Sequence, residues 1–124
     1  MIMVIGGAHQ GKCAYAGKIC PDVKWVDGKT CGEEELFSCG GIYRFHEYIA
    51  GRMREGADIS GLPRKLHAQN PDIVIVTDEI GYGIVPAERR LRDYREMTGR
   101  ICTELAGISE EVHRVVCGIG TRIK

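Results

Sequence analysis

Apolar positions along the chain change period several times, and each change marks an element. Residues 1–5 are wholly apolar and break at Gly6-Gly7, which reads as a short strand running into a loop. Residues 12–19 have helix-like composition, so the first unit is strand, loop, helix. Residues 23–26, preceded by Pro21-Asp22 and closed by Asp27-Gly28, form a second short strand between turn signals. From 33 to 54, Leu36, Cys39, Ile42, Phe45, Ile49 and Met53 recur at steps of three and four. That spacing is one helix face and predicts a helix, weakened or bent at Gly40-Gly41.

A short helical piece over 62–68 precedes Ile73-Val74-Ile75-Val76-Thr77, which is β-branched throughout. A run without polar alternation is the pattern of a parallel strand buried on both faces. Leu91, Tyr94, Met97, Ile101 and Leu105 then repeat at helical spacing, with Glu88 four residues before Arg92 as a favourable pair. Residues 112–117 make the last predicted strand, ending at Gly118. Strands separated by helices predict an α/β fold whose mainly parallel sheet is covered by helices. In such sheets functional side chains gather at the carboxyl ends of the strands.

Composition narrows this picture. The chain has 124 residues, 44% of them hydrophobic and 27% charged, which fits a single domain over 1–124 and excludes a disordered or low-complexity chain. Seventeen basic residues balance seventeen acidic ones, so no net field favours nucleic acid. The apolar start is too short for a signal peptide or a membrane span, and a soluble cytoplasmic protein is expected. The six cysteines include no C-x-x-C pair and are expected to be free thiols in a reducing compartment.

The densest chemistry lies in Gly6, Gly7, Ala8, His9, Gln10, Gly11, Lys12 and Cys13, which have the G-x-x-x-x-G-K spacing of a phosphate-binding loop between a strand and a helix. Glycines let successive N–H groups converge on phosphate oxygens, the helix N-terminus adds partial positive charge, and Lys12 neutralises the β- and γ-phosphates. GTP or ATP is the expected ligand. After the lysine such loops carry a hydroxyl that binds Mg²⁺; here Cys13 stands there, and a thiol is a poor ligand for a hard cation. A nucleotide-dependent binding or regulatory module without turnover is therefore the second reading. By its place at a helix N-terminus, Cys13 is also the expected reactive thiol.

Two acids suit a Mg²⁺ site at a strand end: Asp78, after 73–77, and Asp27, after 23–26. Each also suits a cap on the next element. Glu79 adjoins Asp78, Lys12 is the loop's candidate catalytic cation, and Gly81, Gly83 and Pro86 belong to a candidate shaped binding loop. Arg89, Arg90, Arg92 and Arg95 follow it; one or two suit a phosphate, the others a solvated face.

Residues 6–13 resemble the G-G-A-R-S-G-K-S loop of the bifunctional adenosylcobinamide kinase/adenosylcobinamide-phosphate guanylyltransferase family. Residues 76–86, V-T-D-E-I-G-Y-G-I-V-P, are similar to its V-T-N-E-V-G-x-G-I-V-P. Arg92-Asp93-Tyr94-Arg95 with Thr98-Gly99-Arg100, and the ending 116–124, also look like family segments; the middle is shorter. The resemblance implies ATP- or GTP-dependent phosphorylation of a corrinoid side-chain hydroxyl, with Lys12 and Glu79 as catalytic residues and Gly81, Gly83 and Pro86 in the loop on the acceptor side, then GMP transfer through a guanylyl-histidine, in a homo-oligomer that the family forms as a trimer. His46 is the positional candidate for that histidine, since an imidazole nitrogen can attack an α-phosphate; its helix also suits a structural histidine.

Overall fold

The β-branched run at 73–77 forms β4 (Val74–Asp78), one of the two central strands of a six-stranded sheet of order β2 (Trp25–Asp27), β3 (Gly41–Tyr43), β4, β1 (Ile2–Gly6), β5 (Glu111–Val116), β6 (Ile119–Arg122). The computed structural model describes residues 1–80 and 87–124. β4 lies parallel between β1 (Ile2–Gly6) and β3 (Gly41–Tyr43). Side chains 73–77 are all buried, as a strand flanked by strands and covered on both faces requires. β2 (Trp25–Asp27) forms one edge, parallel to β3. β5 (Glu111–Val116) joins β1 on the other side, also parallel.

Helices cover both faces unequally. α1 (Lys12–Ile19) lies over the small cluster of Val4, Ala16, Val76 and Val115. The larger core on the opposite face joins Met3, Ile42, Ile75 and Val112 to α2 (Glu33–Ser38), α3 (Phe45–Arg54), α4 (Leu62–Gln69) and α5 (Arg89–Ile108). Alternation along each strand sorts the residues: Met3 and Ile75 face the larger core, Val4 and Val76 the smaller. Among the described residues no helix is long and apolar enough to cross a membrane.

Two expectations are corrected. The single helix over 33–54 is helix, strand, helix, with Gly41–Tyr43 paired between β2 and β4. A Cβ at Gly41 would come within 2.7 Å of the Trp25 ring and Val23, so a glycine that disfavours helix is required by close strand packing. Leu36, Ile42, Phe45 and Ile49 share one core with Cys39 packed against it, which keeps the three- and four-residue spacing although three elements and the residue between them supply it. The chain also continues past the last expected strand. Cys117 (φ 51) and Gly118 (φ 77) turn it into β6 (Ile119–Arg122), antiparallel to β5. Positive φ at both central residues is the tight hairpin turn that matches strand twist.

Candidate functional site

β1 ends where it cannot carry a side chain: a Cβ at Gly6 would lie 2.5 Å from the Val115 carbonyl oxygen. The loop that follows is braced from behind by the β5–β6 turn. Cys117 donates its N–H to Gln10 Oε1 (2.7 Å) and Gly118 donates to the Gln10 carbonyl (2.8 Å). Gly11, left-handed at φ 85, precedes α1 with no side-chain cap, so the free N–H groups of the first turn face the loop. Ala8, His9, Gly11 and Cys13 are exposed.

Lys12 is buried, its side chain turned back toward the loop. Nζ donates to the Gly7 carbonyl at 2.7 Å and pairs with Asp78 Oδ1 at 2.7 Å. The register explains the meeting: Gly6 lies directly across from Asp78 in the β1–β4 ladder. His46, at the start of α3, receives the Asp78 N–H on Nδ1 at 3.1 Å, and its Nε2 stands 3.4 Å from Asp78 Oδ2. Burial holds the His46 pKa below its ordinary value, against the opposing pull of the Asp78 carboxylate.

Asp27 is not brought to this cluster. Strands β3 and β4 separate its strand from β1, and its carboxylate is taken by Arg44 and by the Lys29 N–H (2.9 Å). The Arg44 hydrogen bond holds the Asp27 carboxyl below its usual range. Arg44 is itself left-handed (φ 54), as are His9 (φ 58) and Cys117 (φ 51). These three non-glycine residues follow the carboxyl ends of β3, β1 and β5, each at a cost of about 1–2 kcal/mol.

Glu79 points to the other face of the sheet. Its N–H donates to the Gly6 carbonyl at 2.8 Å, and its carboxylate receives Arg114 through Nε (2.9 Å) and Nη2 (3.3 Å). Arg114 carried no sequence signal of its own, in a strand that also holds Glu111 and His113; its place follows from pairing with Ile5 in the β1–β5 register. A cavity of about 360 Å³, lined by Ile5, Thr77, Asp78, Glu79, Thr98 and Cys102, opens between this end of β4 and α5. Gly81, Gly83 and Pro86 lie outside the described residues. On α5, Arg89 faces Asp93 and Arg100 faces Glu96, an i,i+4 pattern of exposed pairs.

Among the described residues no three His, Cys, Asp or Glu side chains stand close enough to cage a metal. Mg²⁺ needs no cage, since it takes one or two carboxylates and completes its shell with phosphate oxygens and water. Asp78, with a quarter of its side chain exposed beside the loop, fits that part. The Cys13 thiol does not.

A family model described as cobinamide kinase / cobinamide phosphate guanyltransferase matches residues 33–123. That stretch holds His46, Asp78, Glu79 and Arg114, and begins after the glycine-rich loop. The bifunctional adenosylcobalamin biosynthesis protein CobU of Escherichia coli strain K12 is 38% identical over 78 residues, 63% of this chain and 43% of that protein. The protein of the same name from Salmonella typhimurium strain LT2 is 48% identical over 52 residues, 42% of this chain and 29% of the relative. Each match spans less than half of the relative's own length.

Proposed function

Because the chain belongs to the cobinamide kinase/cobinamide phosphate guanyltransferase family, we propose that it binds GTP or ATP on residues 6–13 and transfers a phosphoryl group to a corrinoid side-chain hydroxyl. The reading rests above all on Lys12, a buried ammonium at the mouth of a glycine loop, 2.7 Å from an acid at the end of the adjoining strand. The loop N–H groups and the α1 N-terminus receive phosphate oxygens, and Lys12 neutralises their charge. Asp78 would hold Mg²⁺, which when bound offsets charge developing on the phosphate oxygens. Glu79, oriented by Arg114, is the carboxylate to accept the proton of the attacking hydroxyl as its oxygen bonds to the γ-phosphorus and the bond to the nucleoside diphosphate breaks.

We further propose that the chain works in the cytoplasm as one domain over 1–124 and as a homo-oligomer. Exposed Val116, Ile119 and Ile123 near the β6 edge support the last point. Titration with GTP and ATP, wild type beside Lys12→Ala, tests the nucleotide reading. Losing a charge-assisted contact should weaken binding about 10- to 100-fold. Wild type that binds neither nucleotide, or a variant that binds equally well, overturns it.

A further inference from the structure

We infer that His46 is a positioning residue: it clamps Asp78 at two points and so fixes the carboxylate that faces Lys12. The inference deepens the proposed function and rests on the reading that Lys12 and Asp78 serve a bound nucleotide.

The contacts assign the ring its state. Nδ1 accepts the Asp78 N–H at 3.1 Å, so it carries a lone pair and the proton of the neutral ring lies on Nε2. Nε2 faces Asp78 Oδ2 at 3.4 Å and Glu47 Oε1 at 3.9 Å. One imidazole therefore meets both the backbone and the carboxylate of one residue, while the other carboxylate oxygen meets Lys12.

The backbone that carries the ring is in turn held by other groups. Tyr94 on α5 donates its hydroxyl to the His46 carbonyl at 3.1 Å. Two residues before His46, Arg44 is tied to Asp27, and Gly28 donates its N–H to the Tyr43 carbonyl at 2.8 Å. A Cβ at Gly28 would fall 2.2 Å from the Arg44 carbonyl oxygen, so the ends of β2 and β3 interlock where α3 begins. Asp27 thus acts at a distance, anchoring the start of the helix that carries His46. The lone pair a nucleophile would use is already committed to the Asp78 N–H, which sets this role against that of a nucleotide carrier.

The test compares His46→Leu with His46→Asn, whose side-chain oxygen takes the place of Nδ1 as acceptor. Phosphoryl transfer should fall about 10- to 100-fold in His46→Leu, the range for residues that orient a ligating group, with metal-free nucleotide affinity within about 3-fold of wild type. His46→Asn should recover most of the rate. Joining His46→Leu to Asp78→Ala should cost nothing beyond Asp78→Ala alone, because the two act as one unit. Imidazole ¹⁵N spectra of the wild-type protein should show the proton on Nε2.

Equal loss in both His46 variants, or additive losses in the double variant, overturns the inference. So does an acid-labile label left on wild type by α-labelled GTP and absent from His46→Asn. A proton found on Nδ1 overturns it whatever the nucleotide titration gives. Failure of wild type to bind nucleotide, by contrast, removes the functional reading itself.

Discussion

Lys12 has two acceptors before any phosphate arrives, the Gly7 carbonyl and Asp78. An incoming triphosphate competes with Asp78 for the ammonium and is repelled by its carboxylate. Asp78→Asn should therefore raise metal-free GTP affinity about 5-fold, on the order of 1 kcal/mol, while lowering Mg²⁺-dependent turnover; calorimetry and a phosphorylation assay check the two signs. Cys13→Ser supplies the hydroxyl a hard cation prefers and should raise Mg²⁺-dependent turnover roughly 10-fold. The thiols should separate cleanly. Cys13 and Cys117 are exposed, whereas burial pushes Cys102 and Cys31 up to about 11. At pH 8, differential alkylation read by mass spectrometry should mark Cys13 and Cys117 first, and bound GTP should slow Cys13. The spacing from Gly6 to Lys12 was legible in the sequence because the loop's geometry is local, and so was an acid after a buried strand. Arg114 on Glu79 and Gln10 beneath Cys117 were not, since those pairs are joined only by strand register over 35 and 107 positions.

At the scale of elements, the sheet centre was written in β-branched composition, and β1, β4, β5 and α5 stand close to where periodicity puts them. The stretch from 33 to 54 misled because one core takes Leu36, Cys39, Ile42, Phe45 and Ile49 at helical steps from a helix, its C-terminal neighbour, a strand and a second helix. Period reports which side chains share a core, and the backbone pairing that makes Gly41–Tyr43 a strand comes from partners elsewhere in the chain. The β5–β6 turn was hidden for another reason, as a left-handed cysteine at 117 is not a turn residue by composition. Two glycines separate packing from propensity. A Cβ at Gly120 would stand 2.0 Å from the Tyr15 ring, while one at Gly17 in α1 meets nothing within 4 Å. Gly120→Ala should lose about 1–3 kcal/mol by overpacking, and Gly17→Ala should gain about 0.5–1 kcal/mol of helix propensity. Urea unfolding of the two variants beside wild type checks the opposite signs.

The site draws on nearly the whole chain: the loop after β1, the end of β4, the start of α3, and the turn at 117–118 that supports Gln10. A ligand seated there binds the folded arrangement and has no counterpart surface in the unfolded chain. Binding then stabilises the molecule by RT ln(1 + [L]/Kd), about 2.7 kcal/mol at a hundredfold excess over Kd. For a chain of 124 residues that is a rise in melting temperature of about 10 °C. Lys12→Ala should melt near wild type without nucleotide, since Asp78 keeps its His46 contacts and partial exposure, and should lose most of the GTP-induced rise. The gain should also appear as shared hydrogen-exchange protection in 6–13 and 117–118, because Cys117 and Gly118 donate to the loop's own Gln10. An equal rise in Lys12→Ala would place the nucleotide elsewhere on the protein. Protection confined to 6–13 would mean that the hairpin turn moves independently of the loop it touches.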